Sequence, residues 1–97
     1  MTFRYFFLQY EPGHGIQFRR LLYAWKEDAL AKIPEHPGEI FRMSSSADVE
    51  DTGAGRIRVE MSDAGYANFI EFARNLEWKV REENDRGIAV TVFSPNA

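Results

Sequence analysis

The feature that most constrains this chain is the order in which its hydrophobic periodicities follow one another. An alternating run comes first, then a stripe at helical spacing. Two short alternating runs, a second helical stripe and a final alternating run fill the rest of the 97 residues. Successive side chains point to opposite faces of a strand but turn by about 100° along a helix, so the two periods separate the two structures.

Residues 2–10 carry apolar side chains on both faces, with Phe3, Tyr5 and Phe7 on one side and Phe6, Leu8 and Tyr10 on the other. That pattern predicts a central strand. Glu11-Pro12-Gly13-His14-Gly15 reads as a turn. Over 16–33, Phe18, Leu21, Leu22, Trp25, Ala29 and Ile33 fall on one helical stripe, and Pro34 closes the segment. Read as a strand, 16–25 would set Arg20 among Ile16, Phe18, Leu22 and Ala24. A helix is therefore expected, with a hairpin closed by the 11–15 turn as its rival.

A turn at His36-Pro37-Gly38 precedes an expected strand over 39–49. The polar stretch 50–55 reads as a hairpin loop. In 56–61, Ile57, Val59 and Met61 alternate with Arg56, Arg58 and Glu60, which predicts a strand with one face inward. Ser62 or Asp63 suits an N-cap. The helix it starts would run through Tyr66, Phe69, Ile70, Ala73, Leu76 and Val80, with Glu77 and Arg81 paired four apart, to a stop at 84–87. Residues 88–93 give the last strand.

Two amphipathic helices need one apolar sheet face to cover. The expected fold is a single α+β domain over 1–97, a ferredoxin-like βαββαβ sandwich with an antiparallel sheet and both helices on one face. A hairpin-first ββαββαβ arrangement is the alternative. The expected core is Phe18, Leu22, Trp25, Ile33, Ile57, Val59, Phe69, Ile70, Ala73, Leu76, Val90 and Val92.

Composition narrows the chemistry. The absence of cysteine removes disulfides, thiolate metal sites and cysteine nucleophiles. A net charge of −3 disfavours general binding to phosphate backbones. No apolar run approaches the ~20 residues of a membrane span. The first residues have no basic region or small-residue cleavage site, so no signal peptide and a cytoplasmic location are expected. His14 and His36, both in turns, are too few to argue a zinc site, and the acidic groups near 48–51 and 82–85 lack calcium-loop spacing. Ser44, Ser45 and Ser46 have no nucleophile-elbow setting. No catalytic set, metal or cofactor is expected.

Three surfaces stand out. On the expected second helix Trp78 falls opposite Phe69, with Arg74 one turn before it. On the first helix Tyr23 and Leu30 leave the core stripe on a common side. Trp, Tyr and Arg dominate protein-binding hot spots. The leading expectation is thus a small non-catalytic protein-binding module, an inhibitor, immunity-type or regulatory protein of a bacterium or phage, acting through these helix aromatics, the acidic loops near 48–51 and 82–85, or the open sheet face. Its partner would be another protein, or a second copy held by the open sheet face or a strand edge.

The second surface is Gly15-Ile16-Gln17-Phe18-Arg19, which resembles the Gly-Val-x-Phe-Arg end of the phosphate loop of acylphosphatases. The resemblance implies anion binding by Gly15 and Arg19 at a helix N-terminus. The family's loop begins Gly-x-Val-Gln, whereas Glu11, Pro12, Gly13 and His14 stand here, and Ser44 lies near the place of the family's water-orienting asparagine. The third is Arg56 and Arg58 on the open sheet face, the alternative expectation being a single-strand nucleic-acid platform of arginine and aromatic groups. Glu60 on the same face and the acidic balance oppose it.

Overall fold

The computed structural model describes residues 3–32, 49–53 and 55–95, with side chains over 3–28 and 55–95. Seven elements follow one another: β1 (Phe3–Tyr10), α1 (Gly15–Lys32), β2 (Val49–Gly53), β3 (Arg56–Ser62), α2 (Asp63–Asn75), β4 (Lys79–Asp85) and β5 (Ile88–Ser94). The strands form one five-stranded sheet in the order β2-β3-β1-β5-β4. It is mixed, because β1 runs antiparallel to β3 but parallel to β5. The architecture is α+β.

The segment 16–25 is helical, which excludes the hairpin-first alternative. The reason is the stripe: Phe18, Leu21, Leu22 and Trp25 are buried, while Arg19, Arg20 and Tyr23 are exposed. Only helical spacing sorts these side chains cleanly. Fully burying each of the large ones contributes about 1.5–3 kcal/mol. The second helix starts where a serine can cap it, as the Gly65 amide donates to Ser62 Oγ at 3.0 Å. Asp63 in the first turn and Arg74 in the last both complement the helix dipole.

Both helices cover the same side of the sheet. Phe18 of α1 and Phe69 of α2 each meet Phe93 of β5, at ring-centroid distances of 5.1 and 5.3 Å. Tyr66 of α2 stacks on Phe6 of β1 at 4.3 Å. Trp25 Nε1 donates to Asn68 Oδ1 at 2.7 Å and ties the helices together. Ile57, Val59 and Met61 point into this core from β3.

Three expectations are corrected. The all-antiparallel, four-strand sheet is replaced by a mixed sheet with a fifth strand, and its order is not clearly that of a ferredoxin-like sandwich. The second helix stops at Asn75, not near Val80. Leu76 is its C-cap, and Glu77 takes a left-handed φ of 66°. The Glu77 amide donates to the Arg74 carbonyl at 2.9 Å and the Trp78 amide to the Ala73 carbonyl at 3.0 Å. These two bonds are a Schellman stop, with a glutamate in the place usually held by glycine. What was read as the end of a helix is therefore β4, and the expected helix stop at 84–87 is a hairpin turn. Arg86 and Gly87 both have positive φ, 54° and 86°, as a two-residue type I′ connection requires. Finally, the expected loop 50–55 is mostly strand, since β2 occupies Val49–Gly53.

Leu76, expected in the core, is 53% exposed because the helix ends there. Ile70 is half-buried against the core edge. Val90 and Val92 are buried as expected but belong to the other face of the sheet, where they neighbour Phe7 and Gln9. Of the strand expected over 39–49, only Val49 is described, as the first residue of β2; residues 39–48, together with Ile33, His36 and the serine run, lie outside the described residues.

Candidate functional site

The outer surfaces divide into two: the helix side and the open side of the sheet. On the helix side, Trp78 is not an exposed helix residue. It follows the Schellman stop, where a hydrophobic contact back onto the helix is usual, and its ring meets Phe18 edge-on at 6.2 Å. It is half-buried and packs against the core. Arg74 is exposed in the last turn of α2, but Trp78 is no longer stacked above it on a common helix. Leu30 lies within α1, and its side chain is outside the described set.

Tyr23 is exposed at 59% on α1, and Ile16, seven residues earlier, is exposed at 67%. Positions seven apart on a helix differ by only about 20° in direction. The two therefore share one outward line, with exposed Arg19, Arg20 and Glu27 around them. The sequence held this signal in the spacing of Ile16 and Tyr23. Ile16 was missed because it sits at the helix start, next to the turn.

The turn before α1 is built around Tyr10. A side chain added at Gly15 would come within 3.0 Å of the Tyr10 ring, and one at Gly55 within 3.2 Å of the Tyr10 carbonyl oxygen. Gly15 thus has a packing reason to be glycine. Arg19 lies exposed in the second turn of α1. At the mouth of the turn Glu11 accepts a hydrogen bond from Ser94 Oγ at 2.8 Å and sits 3.7 Å from Arg81 Nη1. A carboxylate therefore stands beside the segment that resembles a phosphate loop.

On the open side, β3 contributes Arg56, Arg58 and Glu60, β1 contributes Tyr5, Phe7 and Gln9, and register sets them side by side. Arg58 lies 4.3 Å over the Tyr5 ring. Arg56 donates to Gln9 Oε1 at 3.0 Å and to Asp85 Oδ2 at 2.8 Å. Asp85 belongs to β4, and β1 and β5 stand between it and β3. Register also sets Asp85 four residues along the strands from the level of Arg56, so on a flat sheet, three strand spacings away, the two Cα atoms would lie about 19 Å apart, more than these side chains can reach. The sheet must therefore curl toward its open face, bringing the tip of the β4–β5 hairpin over toward Arg56. Val90 and Val92, on that face, are only 3% and 2% exposed. The hydrogen bond from Arg56 holds the Asp85 carboxyl below its ordinary range.

One further cluster lies at the edge between the two sides. Tyr66 shares a 2.7 Å hydrogen bond with Thr91 and donates to Glu82 Oε1 at 3.2 Å. Burial raises its phenol above the usual range; the Thr91 bond opposes this and the Glu82 charge adds to it. A groove of about 400 Å³ opens here between β1 and the start of β5, lined by Arg4, Phe6, Tyr66, Glu82, Ile88 and others. No helix among the described residues is long and apolar enough to cross a membrane. In comparisons with known proteins, the chain matches no family model, no curated protein and no solved structure.

Proposed function

We propose that this chain is a small non-catalytic protein-binding module of inhibitor or regulatory type, and that α1 presents its binding line. The observation that carries this reading is the exposed pair Ile16 and Tyr23, aligned on one face of a helix whose opposite face buries Phe18, Leu21, Leu22 and Trp25 in the core. Tyrosine offers large contact area with little entropy to lose. The charged neighbours Arg19, Arg20 and Glu27 give the line the polar rim expected of a protein interface. We read the fold as a ferredoxin-like variant. Its β1-α1-β2-β3-α2 portion follows that layout, and β5 is inserted between β1 and the strand that follows α2.

The test is capture of a partner from native lysate by the wild-type chain and by an Ile16→Ser, Tyr23→Ser variant. The expected result is a partner lost by the variant while its melting temperature stays within about 2 °C of wild type, since exposed sites contribute little to folding. Equal capture by both chains removes α1 as the binding line.

A nucleic-acid reading is favoured by one observation, the Arg58–Tyr5 stack on the open face. Against it, Arg56 is already neutralised by Asp85 and Arg81 by Glu83. A phosphate would have to displace a carboxylate at each. The protein-binding reading therefore ranks first.

A further inference from the structure

The edge strand β4 carries a charge pattern that complements itself when reversed. It lies at the end of the sheet and pairs with β5 alone among the described residues. Such an edge displays unpaired backbone groups that invite another strand. Register with β5 puts Lys79, Arg81, Glu83 and Asp85 on the open face and Val80, Glu82 and Asn84 on the helix face. Along the open face the order is two cations followed by two anions.

Within the chain Arg81 already pairs with Glu83 at 2.6 Å and Asp85 with Arg56 at 2.8 Å. A second β4 in antiparallel orientation keeps each of these charges beside an opposite one. About a two-fold axis through Glu82, Lys79 faces the other copy's Asp85 and Arg81 faces its Glu83, and symmetry repeats both pairs. Directly opposed residues of an antiparallel pair point to the same face, so each of these charges meets its opposite. On the helix face Val80 meets Asn84, and Glu82 meets its own copy, the single like-charge contact in this register.

We infer that the chain forms a symmetric dimer by antiparallel β4–β4 pairing centred on Glu82, which doubles the five-stranded sheet into one continuous sheet. This deepens the protein-binding reading by naming a second copy of the chain as one of its partners. The α1 surface stays free on each copy for another. Asp85 keeps Arg56 on Oδ2 and offers Oδ1 to Lys79 of the second copy.

Because the chain has no cysteine, introduced thiols report the register cleanly. In full-length Glu82→Cys the two thiols would face one another, at the Cα separation of about 5 Å that a disulfide accepts. In Asn84→Cys they would stand about 13 Å apart, while a mixture of Val80→Cys and Asn84→Cys chains would bring them together again. The expected result is oxidative cross-linking of Glu82→Cys and of the mixture, and none of Asn84→Cys alone. Light scattering of the wild type should give a dimer mass. Arg81→Glu should weaken the dimer about tenfold, as like charges then oppose at two symmetric places. Adding Glu83→Arg to it should restore the affinity to within about threefold. Circular dichroism of each variant verifies folding. Cross-linking of Asn84→Cys as fast as Glu82→Cys, failure of the double swap to restore the dimer, or a wild type that stays monomeric would each overturn the inference. A monomeric chain whose partner capture still depends on Tyr23 would overturn this dimer alone and leave the α1 reading standing.

Discussion

The two faces of this sheet are held by different forces. The covered face is a block of aromatic rings: Phe18, Phe69 and Phe93 meet pairwise within 6.3 Å, and Trp25 and Trp78 close its two ends. The open face is held by charge and stacking, with Arg56 reaching Asp85, Arg81 reaching Glu83, and Arg58 lying over Tyr5. Ring packing is indifferent to pH and salt but sensitive to lost volume. Exposed ion pairs respond the other way round. Changes on the covered face should therefore act through cavities and be large, and changes on the open face should depend on conditions and be small.

Trp78→Ala puts the sharpest strain on this contrast. Trp78 was expected on an outer surface, where its loss would leave folding almost untouched. Its edge-on contact with Phe18 and its place against the core put it with the covered face. A half-buried tryptophan should lose part of the 3–5 kcal/mol seen on truncating a buried one, about 2 kcal/mol. Urea unfolding measures this directly, with a lower midpoint and an unchanged slope. A midpoint equal to wild type would return Trp78 to the outer surface and restore it as a binding residue.

The chain's own pattern reveals the covered face better than the open one, and the reason is visible at Glu77. The stripe Phe18-Leu21-Leu22-Trp25 and the alternation Ile57-Val59-Met61 are set by burial, so their periods are legible without coordinates. Residues 76–85 have no such guide. Lys79, Arg81, Glu82 and Glu83 are good helix formers, and Glu77 with Arg81 imitates a helix pair. What makes them a strand is the left-handed step at a glutamate and the hairpin pairing with β5, neither of which local propensity reports. The candidate surface was half legible for the same reason. Tyr23 is on the outer face because α1 is where its stripe puts it, while Trp78 moved inward with the strand it precedes.

Glu77→Gly sharpens the comparison at the residue where the chain leaves the covered face and enters the sheet edge. A side chain in the left-handed region is strained by roughly 1 kcal/mol, and glycine relieves it. Glycine also frees the unfolded chain, so the net gain should be about 0.5 kcal/mol. A rise of a few degrees in melting temperature is expected. A fall instead would mean that the Glu77 side chain makes a contribution of its own at this turn. Either sign leaves the covered face unchanged, because both Schellman bonds are made by backbone groups.

The smallest effect belongs to Asp85, and it should appear only in one pH window. Its carboxyl is held below the ordinary range by the hydrogen bond and charge of Arg56. A carboxyl whose folded pKa is depressed adds stability at pH values above its unfolded pKa. That contribution disappears as pH falls through the folded value. Asp85→Asn should therefore lower the melting temperature slightly at neutral pH and not at all in strong acid, where both chains lack the charge. Asp85 is half exposed, so added salt should narrow the neutral-pH difference. Hydrogen exchange at Val90 and Val92 gives the local readout. If the Arg56–Asp85 pair is what curls the hairpin over the open face, these amides should exchange faster in Asp85→Asn at neutral pH and equally fast in acid. Protection that stays the same in both chains at every pH would show that the curl is set by the covered-face rings behind the sheet. The open face would then lose its separate source of order.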